Sequence, residues 1–172
     1  MEQTTGHENY PAWIVIISNL VSIGIYVLGF LIIYRLGFVF SILYLLYILL
    51  LELRLIGSHC TRCLYWGKVC GFGKGKISSW FFKKGDISKF CDNEFTWIDM
   101  IPDLLITLIP LIIGIIILII DFDLLLLFTL LLLIILTTMG NGYVRGSLTC
   151  KYCTQRELGC PADSLFTKKN KV

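Results

Sequence analysis

Charge is what this sequence has little of. Asp, Glu, Lys and Arg make up 16% of the chain against 56% hydrophobic residues, and the charged ones are confined to a few stretches. A soluble domain of 172 residues has no way to hide that much apolar surface, which leaves a polytopic membrane protein as the class. Histidine is scarcer still: there are 2, His7 and His59. His7 is expected in a mobile tail. With no Ser/His/Asp set and no paired carboxylates at useful spacing, acid–base and nucleophilic catalysis have no visible machinery. The centres of the apolar runs lack ionisable residues, and with them the usual mark of an ion or proton pathway. A basic start is missing ahead of a first apolar run already long enough to span, so no cleavable signal peptide is expected.

Residues 12–53 form one apolar block, interrupted at Tyr34-Arg35-Leu36-Gly37, and residues 101–139 form a second, interrupted at Asp121-Phe122-Asp123. A spanning helix needs about 20 residues, so each block reads as a helical hairpin, with spans at 12–34, 38–53, 101–120 and 124–139. The expected fold class is an all-α membrane protein of four transmembrane helices in two tandem hairpins. Its segments are a tail and hairpin at 1–56, a cysteine-rich and basic-aromatic loop at 57–100, a hairpin at 101–139 and a cysteine-rich tail at 140–172. Asn19, Ser22 and Thr107 fit helix packing. Glu52, Arg54 and Asp103 sit at span ends as interfacial partners, while Pro110 and Gly114 are candidate kink positions in the third helix.

Basic residues resist translocation and so orient the spans. Of 15 Lys and Arg, all but Arg35 fall in the central loop or the C-terminal tail. Both termini, the loop and the tail are therefore expected on the cytoplasmic side.

Seven cysteines stand out against this background. Six form two C-x2-C-x6-C runs, Cys60, Cys63 and Cys70 in HCTRCLYWGKVC, then Cys150, Cys153 and Cys160 in CKYCTQRELGC. Each run follows a Gly-Ser pair and an apolar hairpin, and every cysteine of the second run lies about ninety residues after its counterpart, which reads as a parallel internal repeat about an axis along the membrane normal. Such an axis brings the triplets together at one end of the bundle. Cytoplasmic thiols are kept reduced, so metal is favoured over disulfides, which return if the topology is inverted.

The two triplets resemble the binuclear zinc cluster of fungal transcription factors, in which two C-x2-C-x6-C runs hold two zinc ions through shared thiolates. The resemblance covers the triplets alone. It implies Cys60, Cys63, Cys70, Cys150, Cys153 and Cys160 as ligands, two tetrahedra of soft donors with bridging sulfurs, and it does not extend to nucleic-acid binding. Arg62, Lys68, Lys151 and Arg156 lie within the triplets, where they offset the negative charge of a zinc-thiolate cluster. Other ligand sets stay open. His59 and Cys91 are possible additional ligands that would complete two separate four-ligand sites, and the two C-x2-C pairs alone would make a single site. An iron-sulfur cluster is suggested by Cys160-Pro161 but lacks the usual close-spaced run. For Cys91 a free thiol among phenylalanines is the simpler reading.

The central loop also contains GFGKGKISSWFFKKGD. A phosphate loop needs G-x4-G-K-[ST]; Gly67 is one residue too far from Gly73, and Gly75 follows Lys74. Lys74, Lys76, Lys83 and Lys84 around Trp80, Phe81 and Phe82 read instead as a segment lying on anionic lipid head groups, or as aromatics covering the metal site.

Together these features describe a membrane scaffold or interaction subunit. Its cytoplasmic cysteine-rich module is closed by structural zinc and presents a surface to lipid or a protein partner. A redox protein and a metal sensor or delivery protein are the alternatives.

Overall fold

The computed structural model describes residues 6–87 and 97–156, and among them every regular element is helical. Four helices are long and apolar enough to cross a membrane, the architecture of a multi-pass membrane protein. Helix α1 spans Ala12–Tyr34 and α2 Phe38–Arg54; the short α3 spans Lys74–Phe81; α4 spans Trp97–Ile120 and α5 Leu124–Ile135. Both hairpins expected from the charge breaks are present, and α1 begins and ends where the sequence places the first span.

The second helix of each hairpin runs further than its apolar stretch. From α2 the chain continues through a π-helical turn, Leu55–His59, and a last α turn, Cys60–Arg62. From α5 it continues through Leu136–Gly140, Asn141–Tyr143 and Val144–Thr149 to a 3-10 turn at Cys150–Tyr152. Two rods, Phe38–Arg62 and Leu124–Tyr152, thus carry each first cysteine on a helix end.

The hairpin tips are minimal. The N–H groups of Arg35, Leu36 and Gly37 donate back to Ile32, Ile33 and Tyr34. Gly37 then takes φ 132°, a value that favours glycine, and starts α2. At the second tip Asp123 caps α5 by accepting from the Leu125 N–H at 2.9 Å. Arg35 forms an ion pair with Asp123 and so joins the two tips. The Leu125 N–H and then Arg35 hold the Asp123 carboxyl below its ordinary 3.8.

Helix α1 packs against all three other spans. Ile25 and Ile32 meet Leu126, Leu130 and Leu133 of α5, while Ile33 joins Tyr44 and Ile48 of α2 and Ile106 of α4. In lipid such contacts rest on close approach rather than on expulsion of water, and glycines supply it. A Cβ on Gly114 would lie 2.6 Å from Leu130 and 3.1 Å from Ile32, so this glycine serves packing. Outward faces are mainly apolar, with Leu50 64% and Ile119 80% exposed. A second core lies beyond the bundle, where Tyr10, Ile14, Tyr65, Val144 and Leu148 pack together with Cys63, Cys70 and Cys153 against them.

Candidate functional site

The rod ends carry the two C-x2-C pairs through the same backbone course. Cys63 leaves its helix in an extended conformation, φ −78° and ψ 148°, with its N–H bonded to the Cys60 carbonyl at 3.4 Å. Ninety residues on, Cys153 does the same at φ −84° and ψ 115°, bonded to Cys150 at 3.3 Å. Each second cysteine then accepts a bond three residues later, Cys63 from Trp66 at 3.0 Å and Cys153 from Arg156 at 3.1 Å. The two turns are knuckles of one design.

The knuckles lock onto each other. Gln155, 2% exposed, places its Oε1 2.9 Å from the Leu64 N–H and 3.9 Å from the Cys63 sulfur. Tyr65 shares its hydroxyl with Thr154 Oγ1 at 2.7 Å and accepts from the Thr154 N–H at 3.2 Å. Gly71 lies against Thr149, whose Cγ2 would be 2.5 Å from an added Cβ. The bonds of Gln155 and Thr154 join residues 89 to 92 positions apart.

Sequence reasoning missed a third part of this lock, the polar segment at 6–11. The His7 N–H donates to the Tyr152 carbonyl at 3.0 Å, and its own carbonyl accepts from the Tyr65 hydroxyl at 2.6 Å. The Tyr10 N–H donates to Val69 at 2.9 Å, while its hydroxyl donates to Thr149 at 2.5 Å. Burial, then nearby Cys153 and Tyr65, pushes the Tyr10 phenol well above its ordinary 10.0, so it remains a donor. The His7 ring lies 5.1 Å from Tyr152 and 5.3 Å from Tyr10. The expected mobile tail is instead a strap bonded to both knuckles. The only advance sign was a tyrosine in an otherwise polar stretch.

Five cysteines lie among the described residues, and none of them is in a disulfide. Cys60, Cys63, Cys70 and Cys153 are half-buried and Cys150 is exposed. Cys60 is within electrostatic range of Cys63, Cys70, Lys74 and Glu52. The Cys70 sulfur accepts from the Gly75 N–H at 3.4 Å, and the Cys150 sulfur lies 3.9 Å from Thr149 Oγ1. His59 occupies the π turn just before the first knuckle. Cys91 and Cys160 lie outside the described residues. Among the described residues no three His, Cys, Asp or Glu side chains gather as a ready metal site.

The glycine-rich loop serves packing. The Gly67 N–H donates to the Gly75 carbonyl at 3.0 Å, and a Cβ on Gly75 would collide with the Tyr65 carbonyl. This seats α3 on the first knuckle. Ser78 bonds the Ile56 carbonyl at 3.0 Å, and Lys74 pairs with Glu52 at 2.6 Å with both side chains largely covered. Tyr26 donates to the same carboxylate at 2.6 Å. Trp80 and Phe81 project outward at 69% and 75% exposure, and Lys76, Lys83 and Lys84 are exposed. Phe82 turns back, its ring about 3.3 Å from where a Cβ on Gly57 would stand.

Comparison of the chain with protein-family models, with curated proteins and with solved structures finds no match in any of the three.

Proposed function

We propose that this chain is a membrane scaffold, built from two related hairpins, whose knuckles close around structural zinc at the cytoplasmic surface. The observation that carries this reading is the knuckle lock. Gln155 and Thr154 of the second half bond Leu64 and Tyr65 of the first, so thiols from both halves border one apolar core. Matching backbone turns at Cys60–Cys63 and Cys150–Cys153 support the duplication, and soft thiol donors suit zinc. Ligation needs more than the described residues hold ready. Cysteine side chains must rotate together and Cys160 must join them, giving Cys60, Cys63, Cys70, Cys150, Cys153 and Cys160 as the ligand set.

Cytoplasmic placement of the knuckles and both termini is supported by the sequence positions of fourteen of the 15 basic residues, between the hairpins or after the second one. Helix α3 then rests at head-group depth, with Trp80 and Phe81 toward the interface and Lys76, Lys83 and Lys84 toward anionic lipid. Lys74 contributes through Glu52, holding α3 in place. The rigid surface so formed receives a protein or lipid partner.

Elemental analysis of anaerobically purified, colourless protein tests the metal reading. Zinc near two equivalents per chain is expected; iron with a brown colour would replace the scaffold reading with the redox one, and metal-free protein that stays folded would remove the metal altogether.

A further inference from the structure

The apolar belt of the bundle has two sharp edges, and the distance between them is short. At the tip end the edge is drawn by Asp121 and by the Arg35–Asp123 pair. At the cysteine end it is drawn by the exposed Arg54 and Asp103. Packing sets α1 and the two rods in register at this end: Val21 faces Gly140, Gly24 faces Leu136, and Tyr26 reaches down to Glu52. Asn19 already belongs to the module, its side-chain N–H donating to the Phe72 carbonyl at 3.2 Å.

Between the edges, the lipid-facing stretches are residues 38–53 of the first rod, 104–120 of α4 and 124–139 of the second rod. At about 1.5 Å rise per residue, roughly 16 residues cover about 24 Å. Helix α1 is longer and overshoots this level: Ile14 packs in the core beside Tyr10 and Tyr65, while Trp13, Ile16 and Ile17 on the same turns are exposed. Beyond Asn19 its remaining stretch is also about 23 Å.

From these lengths we infer that the protein is fitted to a thin bilayer, with a hydrocarbon layer of about 25 Å instead of the usual ~30 Å. A belt that is too long adapts by tilting. One that is too short has only bilayer thinning, snorkelling or association to fall back on. Slack is small here, because each tip is a turn of about three residues and the tip charges are tied to each other across the hairpins. In a thicker membrane either the Arg35–Asp123 pair or the Arg54 and Asp103 level enters hydrocarbon. The inference stands whether or not the knuckles bind metal.

The test is reconstitution of the full chain in phosphatidylcholine bilayers whose monounsaturated chains lengthen from fourteen to twenty-two carbons, with the unfolding rate and helix tilt measured in each. The slowest unfolding is expected at fourteen to sixteen carbons, rising about tenfold by twenty-two, with little change in tilt. Greatest stability at eighteen carbons or beyond, or a rate independent of chain length, overturns the inference.

Discussion

The Tyr44 hydroxyl donates to the carbonyl of Ile106 at 2.7 Å, the carbonyl that Pro110 leaves without a helical partner. Proline has no N–H to return four residues back, and hydrocarbon offers no water in its place. A side chain of one hairpin thus completes the backbone of the other, and Gly29 makes room for it, since a Cβ there would collide with the hydroxyl. Tyr44→Phe is expected to cost about 1–2 kcal/mol of bundle stability. Gly29→Ala should cost more, because it displaces the ring as well as the bond. Unfolding in mixed micelles measures both, and wild-type stability in Tyr44→Phe would show that the freed carbonyl finds another donor.

The strap gives a second prediction. Tyr65→Phe removes one hydroxyl that serves His7 and Thr154 together, at an expected cost of about 1–3 kcal/mol. Limited proteolysis should then cut the N-terminal segment faster while the spans remain protected. Unchanged cleavage would mean that the Tyr10 bonds hold the strap alone.

Metal content tests whether the triplets act together. In a shared cluster each ion depends on sulfurs from both halves, so Cys60→Ser or Cys150→Ser should lower both equivalents of zinc. Cys91→Ser and His59→Ala should lower neither. Loss of one equivalent in either of the last two variants would replace the six-thiolate set with two separate sites.

Helix α3 makes a prediction about lipid charge. The difference in emission between wild type and Trp80→Phe isolates Trp80, and this component should shift to the blue when neutral nanodiscs are exchanged for anionic ones. Lys76, Lys83 and Lys84 changed together to Gln, or added salt, should reverse the shift. Indifference to lipid charge in both tests would favour aromatics that simply cover the knuckles.

Sidedness is checked with a thiol reagent that does not cross membranes. Intact cells should show no labelled cysteine even after chelation, and Cys150, the exposed thiol, should label once the membrane is opened. Labelling from outside would invert the topology.

What could be read from the sequence was set by solvent. The spans were legible because hydrocarbon forbids charge over their whole length, and Arg35 and the Asp121-Phe122-Asp123 turn therefore mark the tips. Past Arg54 the rule lapses. The chain from Leu55 to Arg62 looks like a loop by composition yet stays helical, with Thr61 bonding back to the Gly57 carbonyl inside it and Ser78 of α3 bonding the Ile56 carbonyl. The same holds from Gly140 to Tyr152, where Val144 and Leu148 find their core only in the folded molecule. The cysteine spacing repeats, and the backbone turns at its two C-x2-C pairs match. Their lock was not legible, since Gln155 and Thr154 carry no pattern of their own and owe their role to partners ninety residues away.

The brevity of the two tips has a consequence for recognition. One end of the molecule offers water little more than two small turns, already engaged with each other through Arg35 and Asp123. The other end offers a strap, two knuckles and an aromatic helix. Among the described residues, nearly all the polar surface that a soluble molecule could read therefore gathers at the cysteine end.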